Sequence, residues 1–257
     1  MSSPSFSIIT VVFNGAGLLP GTAESVRAQT YPHIEYILVD GGSTDGTVDL
    51  IRAYAARMPN LRWISEKDNG LYDAMNKGQR MATGDFVWFL NCGDHLHAPD
   101  TVEKLAALAT DQTDVLYGET LLVSAARTPA GTMSALSTRQ LPKRLSWKSY
   151  RCGMPVVHQS FIARRTLAPA YIAGNLCADY DWCIRVLKNS RKTACSGLIL
   201  SDYLMGGMSK QKHRQSLKDR FRVMRVHYGL LPTLLAHGWI AVRAIRHRLR
   251  RWGQPRY

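Results

Sequence analysis

The chain has 257 residues, 46% of them hydrophobic, which suits one large domain with a full core plus an appendage. Its formal net charge is +14, yet the stretch from Met208 to Tyr257 holds 13 Lys or Arg against the single acid Asp219, so +12 of the excess lies there. Basic charge confined to one end, and not spread around a groove, argues against a nucleic-acid enzyme; five cysteines without a C-x-x-C pair argue against a zinc site and for a reducing compartment.

In chain order, Phe6 to Phe13 is a β-branched apolar run that predicts a buried strand. No basic residue precedes it and the run is short, so it reads as a first strand and not as a signal peptide. Asn14-Gly15 ends it, and a helix follows through Glu24 and Val26 to about Gln29, closed by Tyr31-Pro32. Glu35 to Val39 predicts the second strand, with Asp40 at its carboxyl end. Thr44 or Asp45 is placed to cap a helix from Thr47 to Arg57, whose Val48, Ile51, Tyr54 and Ala55 share one face. Arg62 to Ile64 predicts a third strand. Gly70 to Met81 carries Leu71, Ala74, Met75 and Gly78 at helical spacing, and Phe86 to Leu90 is the continuous apolar run of a strand buried on both faces. Farther on come a helix over Asp100 to Ala109, a strand over Val115 to Val123, an irregular turn-rich loop from Ala125 to Ser137, and a helix over Leu176 to Leu187. Asp179 and Asp181 sit near the start of that last helix, where the helix dipole favours a carboxylate.

Strands alternating with helices predict an α/β fold with a mostly parallel, twisted sheet flanked by helices. Ligands of such sheets gather outside the carboxyl ends of the strands, where Asp40, Asn91, Gly93 and Asp94 fall. The glycines at 41, 42 and 46 do not fit G-x-G-x-x-G, and there is no P-loop, so neither a dinucleotide cofactor nor NTP hydrolysis has motif support.

Asp-Gly-Gly-Ser-Thr-Asp-Gly-Thr at 40–47, Gly-Leu-Tyr-Asp-Ala-Met-Asn-Lys-Gly at 70–78, and Ala-Thr-Gly-Asp leading into Asn-Cys-Gly-Asp at 94 together resemble the family 2 glycosyltransferases. The likeness runs in order over residues 6–94. It resumes with His158-Gln159-Ser160, Ala178-Asp179-Tyr180-Asp181 and Gly206-Gly207-Met208-Ser209. The resemblance implies a GT-A fold over residues 1–207, whose first half binds a nucleotide sugar, followed by a basic amphipathic helical extension over 208–257. It further implies an inverting, metal-dependent enzyme that moves a single sugar to a hydroxyl of a saccharide or lipid-linked acceptor, in cell-surface polysaccharide or glycolipid synthesis.

Residue by residue, the resemblance places Phe13, Asp40, Asn76, Asn91 and Asp94 in the donor site. Asp40 would meet the nucleobase, although a carboxylate there also suits capping of the following turn. Asp94 would hold Mg²⁺ or Mn²⁺ with the diphosphate, as a lone carboxylate can when the ion shares its substrate's oxygens. Asp179 falls on the general-base position, preceded by Ala178 where relatives often have Glu; Asp181 is the alternative. Other members carry acids where this chain has Gly41, Asn91 and Gly93. His158 reads equally well as a core histidine, and neither it nor His213 receives a role. Two rival functions are a sugar nucleotidyltransferase and a non-catalytic module that binds a membrane surface or nucleic acid. Asn14 to Glu24 lacks the Lys or Arg that would hold a triphosphate.

The tail carries Leu231, Leu234, Leu235, Ile240, Val242, Ile245, Leu249 and Trp252 among five arginines, an interfacial amphipathic pattern. It predicts docking on an anionic membrane surface, with the enzyme cytoplasmic and peripheral on the inner face of the plasma membrane; packing on the catalytic domain is the other reading. Pro232 and Gly238 are expected to limit the helix, and no 18-residue apolar run predicts a spanning segment. Arg251-Trp252 is similar to the end of the Gln-x-x-Arg-Trp motif of processive relatives, but Arg248 stands in place of Gln, so transfer of one sugar is expected.

Overall fold

The computed structural model describes residues 3–206 and 213–250. Strands β1 (Phe6–Val12), β2 (Ile34–Asp40), β3 (Leu61–Ser65) and β4 (Phe86–Phe89) alternate with helices α1 (Leu19–Arg27), α2 (Thr47–Ala55) and α3 (Leu71–Met81). The four strands are mutually parallel, in the order β3-β2-β1-β4. Their side chains alternate between two cores. Ile9, Val11, Ile37, Val39, Val87 and Phe89 enter one, and Phe6, Ile8, Tyr36, Leu38, Phe86 and Trp88 enter the other. Burial on both faces is why these strands read as continuous apolar runs.

Beyond β4 the elements are β5 (His95–Leu96), α4 (Thr101–Leu108), β6 (Val115–Val123), β7 (Pro129–Thr132), α5 (Met133–Leu136), β8 (Phe161–Arg164), α6 (Ala178–Asn189) and β9 (Thr193–Leu204). This part departs from the parallel expectation. β8 runs antiparallel to β4 and β6, β5 antiparallel to β9, and only β6 and β9 pair in parallel. Between β6, β7 and β8 lie only the single turn of α5 and short 3-10 turns, with no crossover helix to return each strand in the same direction, whereas α6 does stand between β8 and β9. The Ala125 to Ser137 segment is likewise not an irregular loop: β7 pairs with β6 and α5 follows at once.

Two helices form the described part of the tail, α7 (His213–Tyr228) and α8 (Leu230–Arg250), and they divide at Gly229, whose φ of +83° suits a residue without Cβ. Gly238 is inside α8, and Pro232 is in its first turn, where no N–H partner is needed; neither ends the helix. Residues 207–209 of the resemblance, and Arg251-Trp252, lie outside the described residues.

α7 is packed on α6. Val223 and Met224 are buried in the same core as Tyr180, Trp182 and Ile184. Asp219, 1% exposed, accepts a hydrogen bond from the Leu176 N–H just ahead of α6 (3.1 Å). The His227 ring lies 2.7 Å from Asp181, which also accepts from Arg185 at 2.6 Å. Burial alone would raise the Asp181 pKa, but the His227 and Arg185 contacts hold it below the ordinary carboxylate value. Tyr228 stacks on Trp147 with ring centroids 5.5 Å apart. α8 buries Thr233 and Ala236 and donates from Arg243 to the Cys152 carbonyl (2.9 Å), whereas Leu231, Leu235, Trp239, Val242, Ile245 and Leu249 are exposed. No described helix is long and apolar enough to cross a membrane.

The contact between α3 and β1 is close enough to test. A Cβ at Gly78 would stand 2.4 Å from Ile9 Cγ2 and 3.2 Å from Val39 Cγ2. Alanine gains up to about 1 kcal/mol of helix propensity over glycine, but overpacking a core costs about 1–3 kcal/mol. Gly78→Ala should therefore lower the urea midpoint, with a net loss of about 1–2 kcal/mol, and an unchanged or higher midpoint would show that α3 moves aside freely.

Candidate active site

The parallel strands end side by side. Val12 pairs with Asp40 and Asp40 with Ser65, so the loops after β1, β2 and β3 leave the sheet at one level. The first two of these loops bind each other: Asn14 Oδ1 accepts from the Thr44 N–H (2.9 Å), Asp45 from the Ala16 N–H (3.0 Å), and Thr47 Oγ1 from the Gly15 N–H (3.0 Å). Asp45 also accepts from the Thr47 N–H, although the residue in the capping position of α2 is Gly46 in a left-handed conformation. Over these ends lies a cavity of about 820 Å³ lined by Phe13, Asn91, Asp94 and Asp179 of the predicted site, and by His158, Gln159, Asp68 and Tyr72.

Asp94 follows Gly93, whose φ of +101° reverses the chain. Its side chain accepts from Gln159 Nε2 (3.0 Å) and from the Leu204 N–H (2.9 Å). Burial raises its pKa to about 6, against the lowering effect of those two donors and of the His158 and Arg127 charges. Among the described residues no three His, Cys, Asp or Glu gather into a cage for a metal ion. A buried carboxylate that faces a cavity and has no ion-pair partner among the described residues does fit a divalent cation held jointly with phosphate oxygens.

Asp179 opens α6 and is held from three directions. The Tyr180 N–H donates to Oδ1 (2.8 Å), the Tyr72 hydroxyl lies 3.3 Å from the same oxygen, and His158 Nδ1 lies 3.3 Å from Oδ2. The Asn91 amide nitrogen faces His158 Nε2 at 3.2 Å. The imidazole thus bridges the Asn91 amide and the Asp179 carboxylate. Asn91 Oδ1 is buried without a partner among the described residues, leaving a free acceptor at the cavity wall. Burial, followed by the Asp179 charge, raises the Tyr72 phenol pKa well above its ordinary value, so Tyr72 remains a donor. Asp181 does not line the cavity; it faces the tail.

Two predicted donor residues lie off the cavity surface. Asn76 spends both ends of its amide on the backbone of Tyr171, at 3.0 and 2.7 Å, and so clamps the approach to α6. Asp40 is fully buried, and its Oδ2 accepts from the Gly42 and Ser43 N–H groups and from Ser65 Oγ, so it does cap the turn. Its Oδ1 is unpartnered among the described residues. Asp40 sits one residue behind the wall: a Cβ on Gly41 would strike Asp68 Oδ2 at 2.4 Å and lie 3.4 Å from Phe13. Phe13 itself is 64% exposed.

Sequence reasoning gave no role to His158, Gln159, Tyr72, Asp68 or Arg127. The first three lie inside quoted motifs, which was their available signal. Arg127, with φ of +61°, donates to the Gly93 carbonyl at 2.6 Å from a segment without any motif.

Residues 7–171 match the family described as Glycosyl transferase family 2. The "PGL/p-HBAD biosynthesis glycosyltransferase" of Mycobacterium bovis is 35% identical over 199 residues, covering 74% of this chain and 72% of that protein. Among solved structures, Staphylococcus aureus TarS 1–349 in complex with UDP-GlcNAc superposes with a TM-score of 0.70 at 19% identity, covering 95% of this chain and 72% of the other. The mannosyltransferase PcManGT of Pyrobaculum calidifontis, in complex with GDP-Man and Mn²⁺, gives 0.68 at 18% identity, with coverage of 100% and 77%. A mixed, twisted sheet with flanking helices is the GT-A arrangement these neighbours share. The chain belongs to glycosyl transferase family 2, and it is a glycosyltransferase.

The raised pKa of Asp94 gives a signed expectation. The folded protein holds this proton more tightly than the unfolded chain, so without a divalent cation its stability falls as pH rises from about 4 to about 6. The difference in unfolding free energy between Asp94→Asn and wild type, read from urea titrations, should thus shift towards the variant across that window and level off above it, by an amount on the order of 2–3 kcal/mol. A difference that does not vary with pH would place the Asp94 carboxyl in ordinary solvent.

Proposed function

We propose that the protein transfers one sugar, with inversion, from a nucleotide-sugar donor to a hydroxyl of a saccharide or lipid-linked acceptor, in cell-surface polysaccharide or glycolipid synthesis. The observation that carries the reading is Asp179 in the same cavity as Asp94, its carboxylate aimed by His158 and Tyr72. UDP-GlcNAc and GDP-Man in the neighbouring structures support a nucleotide-sugar donor.

In this reading the acceptor hydroxyl approaches the anomeric carbon from the face opposite the diphosphate. Asp179 removes its proton as the new C–O bond forms and the bond to the diphosphate breaks. Tyr72 and the His158 ring steady the carboxylate, and Asn91 fixes the imidazole. Phe13 and the free oxygens of Asp40 and Asn91 serve the base and the ribose, with Asp40 reached only if the Gly41 to Ser43 turn shifts. Mg²⁺ or Mn²⁺ would be held by Asp94 and the diphosphate, and would neutralise the charge of the leaving group.

The exposed apolar stripe of α8, with Arg246 beside it, supports peripheral docking on an anionic membrane, where we place the enzyme on the cytoplasmic inner face. Because α7 and one side of α8 are also packed, both readings of the tail find support. We treat 1–207 as the catalytic domain and 208–257 as an extension integral to it.

Asp179→Asn should lower kcat about 10²- to 10⁴-fold with donor affinity unchanged; retention of turnover would remove Asp179 from the general-base role. For docking, Leu235→Glu with Ile245→Glu should abolish flotation on anionic liposomes at low salt without changing the melting temperature. Equal flotation of variant and wild type, or none by wild type, refutes the membrane reading and leaves the catalytic one intact.

A further inference from the structure

A second cavity, of about 500 Å³, lies between α8 and the segment that follows β7. Trp239, Val242, Arg243 and Arg246 line it from the tail, with Ser137 and Thr138 opposite, and no acid is among its lining residues in the described structure. The charge is reinforced from behind. Arg243 and Arg139 donate to the carbonyls of Cys152 and Met154, at 2.9 and 2.6 Å, and so converge on the end of one 3-10 turn. Burial, followed by repulsion from Arg220 and Arg243, lowers the Arg139 pKa below the ordinary arginine value. The Nε of Arg220 is buried with no hydrogen-bond acceptor among the described residues. Of the charged side chains only Arg243 and Arg246 line the cavity itself, and two guanidiniums with no carboxylate among the described lining residues are matched by a phosphate, which accepts several charge-assisted hydrogen bonds at once.

Two further features say what carries that phosphate. Trp239 and Val242 belong both to this cavity and to the exposed apolar stripe of α8, so an alkyl chain leaving the cavity has an apolar track to follow. The single turn of α5 separates the two cavities: Met133 lines the catalytic one, and Ser134 and Ala135 line the basic one. One helix thickness is about 10–12 Å, a gap that the saccharide part of a glycolipid bridges. We infer that the basic cavity binds the phosphate of a lipid-linked acceptor, whose alkyl chain follows α8 and whose sugar reaches past α5 to Asp179. The acceptor part rests on the glycosyl-transfer reading; the alkyl-phosphate site does not.

Calorimetric titration of the full chain with octyl phosphate, octanol and inorganic phosphate tests the site, alongside a separate assay of donor turnover. Arg246 is exposed and makes no hydrogen bond among the described residues, so Arg246→Gln should fold as wild type. Octyl phosphate should bind more tightly than either fragment, and Arg246→Gln should weaken it about 10- to 100-fold, the loss expected for a hydrogen bond to a charged group. Donor hydrolysis without acceptor should be unchanged in the variant. Octanol binding as well as octyl phosphate, or undiminished binding by Arg246→Gln, overturns the site. Inorganic phosphate binding as well as octyl phosphate overturns the lipid source. Binding through Arg246 in a protein that turns over no donor sugar would remove the glycosyl-transfer reading and keep the alkyl-phosphate site.

Discussion

The register of four parallel strands is the constraint from which the site follows. Because Val12, Asp40 and Ser65 lie at one level, three loops leave the sheet together and must satisfy their backbone groups on one another. The bonds of Asn14, Asp45 and Thr47 do this between the first two loops. β4 adds the Asn91–Asp94 turn beside them, since Ile9 pairs with Phe89 and the Leu90 N–H continues onto the Ile9 carbonyl. The cavity is thus a geometric product of strands buried on both faces, and its polar groups are those left where the apolar runs stop.

Carboxylates at such ends are expensive unless partnered. Asp40 is partnered on one oxygen alone, Asp94 carries one donor on each oxygen and a raised pKa, and Asp181 is fully engaged by His227 and Arg185. This order separates structure from chemistry. Asp181 is satisfied within the protein and turns towards the tail, whereas Asp94 keeps an unmet demand for positive charge and Asp40 keeps an idle oxygen. Asp179, held by Tyr72, His158 and a backbone N–H while lining the cavity, combines fixed orientation with access.

How much of this was legible depended on how local the signal was. The βα alternation through β4 was readable because each strand is a continuous apolar run and each helix has its own periodicity; the start of α1 was not legible because Leu18, ahead of Leu19 and Pro20, offers no polar cap. The direction of β8 and β6 was not readable, since pairing partners far apart in sequence leave no periodicity of their own. Asp94 and Asp179 could be found because short motifs hold them. Asn76 belonged to the same motif, yet its amide serves Tyr171, 95 residues away. Nothing near Arg127, or near the Arg139, Arg220 and Arg243 group, announces those contacts, because the chain meets there only after folding.

The hydrogen bond from the Leu176 N–H to Asp219 has a consequence for how this enzyme could diversify. Two residues separate that amide from Asp179, and α7 also grips Asp181 through His227. A new tail could not simply be appended to the half that carries β1 to β4: any exchange of α7 would have to rebuild the seat of Asp179 at the same time. Changes in the tail and changes in the cavity wall that carries Asp179 are therefore bound to one inheritance, and chimaeras between relatives should be cut ahead of Asn175 and not at the start of α7.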